Sequence, residues 1–329
     1  MPKNIKRSSQ LYFNKFKEQQ MSATPEQPDI NAIIRSAMGS VHKRLSDMMV
    51  LQGRALAVAN QQRVDIKSLR DAEFKVFSQF GEDGIIQYLI KETNISEEES
   101  VFIEFGVESY LESNTRFLLV NNNWRGLVFD GSERNVEAIK RQDFYWRNDL
   151  TAVHAWIDRD NINQLIQNAG FSGDIGLLSV DIDGNDYWVW QAIDAVNPVI
   201  VSVEWNSVFG PEAAVSIPYD PKFFRTDAHY SNLYYGASIS AFEYLGKQKG
   251  YSLIGSNSAG NNLFFVRNDR LGSLKPLKAQ EAFVKSRIRE ARDPEGKLSY
   301  LSGDARRQEI KEMYVVAVET HKHFLLSEL

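Results

Sequence analysis

The chain has 329 residues, with 38 Lys plus Arg against 43 Asp plus Glu, a net charge of −5, 43% hydrophobic and 25% charged residues. This is the composition of a soluble globular protein, long enough for a sizeable core, and it excludes a disordered or fibrous chain. The slight acidity gives no electrostatic case for nucleic-acid binding, and the absence of cysteine excludes disulfides, thiolate metal sites and cysteine nucleophiles.

The start, MPKNIKRSSQLYFNKF, is basic but lacks the apolar run of a secretory signal, and no apolar run reaches the roughly 18 residues a membrane span needs. A cytoplasmic protein with no membrane span is the expectation. Residues 1–70 hold no convincing strand. Apolar residues at Ile30, Ile34, Ala37, Val41, Leu45, Met48, Leu51, Ala55 and Val58 step by three or four, as one helix face requires. Asp29 after Pro28 suits the helix cap. The stripe either pairs with another subunit, making a homo-oligomer through this helix, or lies across its own domain. Gly39 and Gly53 weaken a strict coiled coil.

Residues 71–270 alternate β-rich runs with helical stretches. Strands are expected at 101–105, 126–130, 152–157, 175–181, 199–203, 251–254 and 263–266. Helices are expected at 84–92, 114–121, 135–141, 162–169, 187–195 and 239–248. Several strands are apolar almost throughout, as in parallel strands buried on both faces. The alternation implies βαβ units. The last two strands are separated only by the polar segment 255–262, too short for a crossover helix, so they are antiparallel. The fold class is therefore α/β: a doubly wound, mostly parallel seven-stranded sheet with a terminal antiparallel hairpin. A helical arm (1–70) precedes it and a helical C-terminal extension (271–329) follows, broken near Asp293-Pro294-Glu295-Gly296. The basic stretch 284–292 reads as a solvated helix face.

Ligands of open parallel sheets bind beyond the carboxyl ends of the strands, near the switch in strand order. The first strand ends in Glu104-Phe105-Gly106-Val107-Glu108-Ser109-Tyr110, where a glycine permits a sharp turn and close approach to a ligand. The second ends at Asp130, then Gly131 and Ser132. Asp130 either accepts ribose hydroxyls or caps a turn. Asp158 after the third strand faces a nucleoside base or caps the following helix. The fourth gives Asp181-Ile182-Asp183-Gly184-Asn185-Asp186, three carboxylates that repel unless neutralised. The fifth gives Glu204-Trp205-Asn206. Asp181, Asp183, Glu204 and Asn206 offer oxygen ligands for a hard cation such as Mg²⁺. The alternative is a metal-free polar site in which Asp183 or Asp186 acts as base or binds substrate. His229, in the aromatic segment 220–236, is a further base candidate or a structural loop histidine. The segment 77–84 starts a helix capped by Asp83 or wraps the ligand from above.

Taken together, FSQFGEDGII, FIEFG, NTRFLL, GLVFDGS and LLSVDIDGNDYWVW resemble the FkbM-type group of class I S-adenosylmethionine-dependent methyltransferases over roughly residues 75–268. The Asp183-Gly184 element is also similar to magnesium-dependent sugar O-methyltransferases of macrolide pathways. The resemblance implies S-adenosylmethionine held at strands one and two by Glu104, Gly106, Asn114, Asp130, Gly131, Ser132 and Asp158. It implies a sugar or glycan hydroxyl near Asp183, Mg²⁺ as a possible aid, and a role in surface polysaccharide or secondary-metabolite biosynthesis. The turn after the first strand departs from the group's glycine-rich pattern, with one glycine followed by Val107, Glu108, Ser109 and Tyr110. Two other readings stand beside this one. One is a metal-dependent transferase acting on a nucleotide-activated glycan, its acids and metal gripping a diphosphate. The other is a non-catalytic scaffold with a degenerate cofactor pocket.

Overall fold

The computed structural model describes residues 29–329. The chain divides into two compact units, 1–49 and 50–329. The first, where described, is the leading part of one helix, Ile30–Gln62, whose Ile34, Met38, Val41, Leu45 and Met48 are exposed. The boundary falls near 50 rather than 70, because residues 50–62 belong to the second unit. There Ala57 is buried, and Gly53 sits so close to Val76 that a Cβ would lie 2.4 Å from it. Asn60 also donates to the Ala72 carbonyl.

The second unit is built on β1 (Val101–Phe105), β2 (Arg125–Asp130), β3 (Leu150–His154), β4 (Gly173–Val180), β5 (Val196–Glu204), β6 (Val215–Ser216), β7 (Tyr251–Ser256) and β8 (Asn262–Arg267). Seven of them form one sheet in the order β3-β2-β1-β4-β5-β8-β7. Neighbours from β3 to β5 are parallel; β8 runs antiparallel to both β5 and β7. The expected doubly wound sheet and terminal hairpin are present, and this is the Rossmann-like methyltransferase arrangement. Alternate residues feed opposite faces, as the strand period dictates. Ile103, Phe105, Leu127 and Phe129 join one core; Phe102, Val128, Leu177 and Val199 join the other. The order reverses between β1 and β4, which places the ligand crevice at their carboxyl ends.

Helices occur at Glu82–Thr93, Glu133–Lys140, Ile162–Asn168, Asp186–Ala192 and Ile239–Lys249, close to the expected stretches. The stretch 114–121 differs: residues 113–115 bend around the Glu104 carboxylate, and only a π-helical turn, Leu118–Asn122, follows.

The C-terminal extension corrects the expected helical tail. Its helices are the short Ala279–Ala282 and Asp304–Glu309. β9 (Tyr314–Ala317) and β10 (Lys322–Leu325) form a hairpin that adds to β6 in a second sheet, β10-β9-β6. The basic stretch is an extended strap. Its period is two, with Lys285, Arg287 and Arg289 exposed and Ser286 and Ile288 half-buried between them. A helix would need a period of 3.6. Ala291, Ile310, Val315 and Leu326 pack on Phe209, Ile217, Leu233 and Tyr234, so the tail roofs the segment after β5.

Candidate functional site

At the switch point, Gly106 follows β1 with φ +71°, and a Cβ there would stand 1.8 Å from the Asp181 carbonyl oxygen after β4. The glycine is required by the touching of two strand ends. Two cavities open on either side of this contact.

The first, about 530 Å³, lies over β1 to β4 and is lined by Gly106, Asp130, Gly131, Ser132, Trp156 and Phe224 among others. Trp156 and Phe224 stack with ring centres 6.3 Å apart, and both remain about half exposed. Asp130 accepts hydrogen bonds from Glu108 N, Ser132 N and Asn135 Nδ2 at 2.7–3.0 Å. A carboxylate has about four acceptor sites, so this one retains room for one more donor. Ser132 caps the following helix, accepting from Asn135 N.

The second cavity, about 380 Å³, is polar. Its lining includes Glu104, Asn114, Asp181, Asp183, Glu204, Asn206, Arg225, Glu290 and Arg306. Gly106, Asp181, Asp183, Arg225 and Glu290 border both cavities. Glu204 is buried, makes no side-chain hydrogen bond, and its Oε2 is sealed from solvent without a partner. Burial, then the charges of Asp181 and Asp183, push its carboxyl well above the usual range, with Arg225 opposing. Asp181 is raised likewise by burial and by Asp183, Asp186 and Glu104. One oxygen each of Asp181, Asp186 and Glu204 lie within 4.8 Å of one another.

Several expected roles change. Asn206 is largely engaged by the protein: Nδ2 donates to the Leu233 and Tyr235 carbonyls and Oδ1 accepts from Val208 N, which leaves a single lone pair on Oδ1. Asp183 is not in the converging acidic set. Its backbone turns to φ +56° and its exposed carboxylate pairs with Arg225 at 2.7 Å. Asp186 takes its place, fully buried, with its oxygens accepting from Ile182 N and Gly184 N at 2.8 and 2.9 Å. Burial raises it to about 7. It lines neither cavity, so it shapes the loop and does not reach an acceptor as a base.

His229 also lines neither cavity. Its Nδ1 bonds Ser231 and its ring stacks on Tyr230, while burial lowers its pKa. Glu104 accepts from Ser113 Oγ, Thr115 N and Thr115 Oγ1 on Oε2 but only from Asn114 N on Oε1, which keeps one acceptor site on Oε1. Asn114 donates its Nδ2 to Ser179. Asp158 lines neither cavity; its Oδ1 accepts from Asp160 N and Asn161 N and closes the turn that leads into the helix Ile162–Asn168. The single-glycine turn after β1 is explained by Tyr110. It takes φ +60°, is fully buried against Phe144, and bonds Thr115 through its hydroxyl.

Three residues of this site escaped the sequence reading. Arg225 binds Asp183 and Glu290, donates to the Asn232 carbonyl, and lies 3.9 Å over the Tyr235 ring. Its charge is strengthened by these neighbours despite burial. Glu290 arrives from the strap, 65 residues away. Arg306 arrives from the helix Asp304–Glu309. The period-two pattern of 284–290 was the one available signal that this segment is extended.

No family model matches the chain, and a comparison with curated proteins finds no match. Solved structures similar to it include a DszA carbon methyltransferase, at 13% identity over 59% of this chain and 53% of that one, TM-score 0.35. The chain thus spans about half the length of that protein. An O-methyltransferase from Bacillus cereus in complex with SAH is similar at 13% identity over 69% and 97%, TM-score 0.37. A putative caffeoyl-CoA O-methyltransferase from Staphylococcus aureus is similar at 14% identity over 66% and 99%, TM-score 0.38. The fold assignment rests on the strand order itself.

Proposed function

We propose that the chain is an S-adenosylmethionine-dependent O-methyltransferase of the FkbM type, acting on a sugar or glycan hydroxyl. The observation that carries this reading is the pair of cavities meeting at Gly106, Asp181 and Asp183. One is flanked by exposed aromatic rings and has a carboxylate with a spare acceptor site, which suits a nucleoside-bearing donor. The other is polar and contains Glu204, a buried acid without a hydrogen-bond partner, which suits a hydroxylated acceptor. A volume near 530 Å³ lies within the range of small-molecule sites.

S-adenosylmethionine supplies the methyl group as an electrophile on sulfur, to be displaced in line by an acceptor oxygen. Trp156 and Phe224 would hold the adenine side and Asp130 a ribose hydroxyl. The protein's contribution is chiefly alignment across the shared rim. Glu204 borders the acceptor cavity, and its carboxyl, raised by burial and by Asp181 and Asp183, has a heightened affinity for the hydroxyl proton. The donor set also fits Mg²⁺: three carboxylates converge, and one of them, Glu204, makes no hydrogen bond within the protein and has an oxygen buried without a partner. Asp181 and Glu204 would hold the ion, which supplies positive charge that acidifies a bound hydroxyl.

Calorimetric titration with S-adenosylmethionine and S-adenosylhomocysteine, with and without Mg²⁺, tests the reading. Micromolar binding of both is expected; no binding of either ends it. A homo-oligomer belongs to the same proposal. Ile34, Met38, Val41, Leu45 and Met48 are spaced four, three, four, three, which is a heptad seam that a second copy would match. So does a cytoplasmic location, since a cysteine-free chain makes no use of an oxidising compartment.

A further inference from the structure

Beyond the carboxylates, the polar cavity carries a second feature. Arg306 is the one Lys or Arg among the described residues that is buried, at 6% exposure. Its Nε donates to the Leu301 carbonyl at 3.0 Å and its Nη2 to the Ile288 carbonyl. Among the described residues no carboxylate lies within ion-pair distance of it, and Nη1 makes no hydrogen bond within the protein. A buried charge without a counterion is costly and is ordinarily paired. Arg306 lines the polar cavity and also an adjoining one of about 240 Å³. Lys285 and Arg307 line that smaller cavity too, and neither has an ion-pair partner among the described residues. Glu212 and Asp304 are the acids there, so cations outnumber acids three to two. Ser207 and Val208 join the two cavities.

We infer that Arg306, with Lys285 and Arg307, forms an anion subsite for a phosphoryl group carried by the acceptor. The acceptor class is then a phosphorylated or nucleotide-activated sugar. Its hydroxyl end faces Asp181 and Glu204, and its anionic end occupies the smaller cavity. The arrangement separates charge along the acceptor: acids where a proton or cation is handled, a guanidinium where a permanent anion sits. Arginine suits the second task because it stays charged when buried and hydrogen-bonds phosphate oxygens directly. The inference rests on the methyltransferase reading only for calling the ligand an acceptor. The anion site stands on Arg306 itself.

The test is titration of the full chain with inorganic phosphate and, separately, inorganic pyrophosphate, alongside S-adenosylhomocysteine as an independent arm. Wild type is expected to bind at least one of the two anions. Preference for pyrophosphate indicates a nucleotide-activated sugar, and preference for phosphate a sugar monophosphate. Arg306→Gln is expected to weaken anion binding at least tenfold with S-adenosylhomocysteine affinity unchanged. Should Arg306→Gln fail to fold, the surface double variant Lys285→Gln/Arg307→Gln decides, with an expected loss of threefold or more. Absence of anion binding by wild type, or equal binding by the folded variants, overturns the subsite. Loss of S-adenosylhomocysteine binding with anion binding intact overturns the methyltransferase reading instead.

Discussion

Glu204 is the residue whose chemistry is least provided for by the protein. Its Oε2 is buried and unpartnered, and Asp181 and Asp183 repel its charge. A carboxyl whose folded pKa lies above its unfolded value is held protonated by the fold. Between the two values the unfolded state binds fewer protons, so stability falls as pH rises. The contribution is fully present below about pH 4 and is lost as pH climbs through the raised values of Glu204, Asp181 and Asp186, the last at about 7. In the absence of divalent cations, the melting temperature is therefore expected to fall between about pH 5 and pH 8. Mg²⁺ is expected to flatten that decline by neutralising the cluster. Glu204→Gln removes one charge and should raise the cation-free melting temperature at pH 8 by about 2 °C, the effect of roughly 1 kcal/mol in a domain of this size. The same variant should abolish the response to Mg²⁺. A melting temperature that responds to Mg²⁺ equally in wild type and variant would separate the ion from this cluster. The measurement is a set of thermal melts across pH, with and without Mg²⁺.

At the scale of elements, the helix Ile30–Gln62 serves two ends differently. Residues 50–62 are seated in the sheet unit by Gly53, Ala57 and Asn60. The earlier turns expose their seam. Deleting residues 1–49 is expected to reduce assembly size in light scattering while the melting temperature of the sheet unit stays within about 2 °C. Deleting 1–70 should also destabilise, because it strips Val76 and Phe117 of their cover. An unchanged mass after the shorter deletion would remove the seam as an assembly device. This division was half legible in the sequence. The three-and-four spacing gives the helix, but it does not tell which turns are covered. The seven strands of the main sheet were legible because both-face burial leaves near-continuous apolar runs, and the polar 255–262 segment forces a hairpin. β6, with two residues, and the β9–β10 hairpin were not, since their pairing is with each other across about a hundred residues of chain. The strand ends read from the sequence do meet at one crevice, the candidate site. What the sequence does not show is which carboxylates are engaged locally, as Glu104 Oε2 is by residues 113–115 and Asp158 by the turn at Asp160 and Asn161.

Across the whole second unit, the site depends on segments that the sequence separates widely and one guanidinium joins. Arg225 contacts Asp183 after β4, the Asn232 carbonyl and the Tyr235 ring in the segment before the helix Ile239–Lys249, and Glu290 in the strap. The strap is otherwise held by few bonds. Arg287 N donates to the Ala259 carbonyl, Ser286 N to Ser207 Oγ, and Arg292 N to the Ser231 carbonyl. Arg306 fastens it again through the Ile288 carbonyl. None of these bonds touches the sheet core, so the roof and the sheet are expected to open independently. Arg225→Gln keeps a polar side chain but loses both ion pairs, leaving Asp183 and Glu290 to repel across the rim. Amide exchange at Arg287 and Arg292 should accelerate tenfold or more, while amides of β4 and β5 keep their protection. S-adenosylhomocysteine should bind several-fold more weakly, because Asp183 and Arg225 border the donor cavity as well. Hydrogen exchange followed by mass spectrometry measures the first effect and calorimetry the second. If exchange at Arg287 and Arg292 is unchanged, the roof is held by the Arg306 side and by the packing of Ala291, Ile310 and Val315 alone. Faster exchange in the roof together with unaltered ligand affinity would instead make Arg225 a tether for the strap with no part in shaping the cavity beneath it.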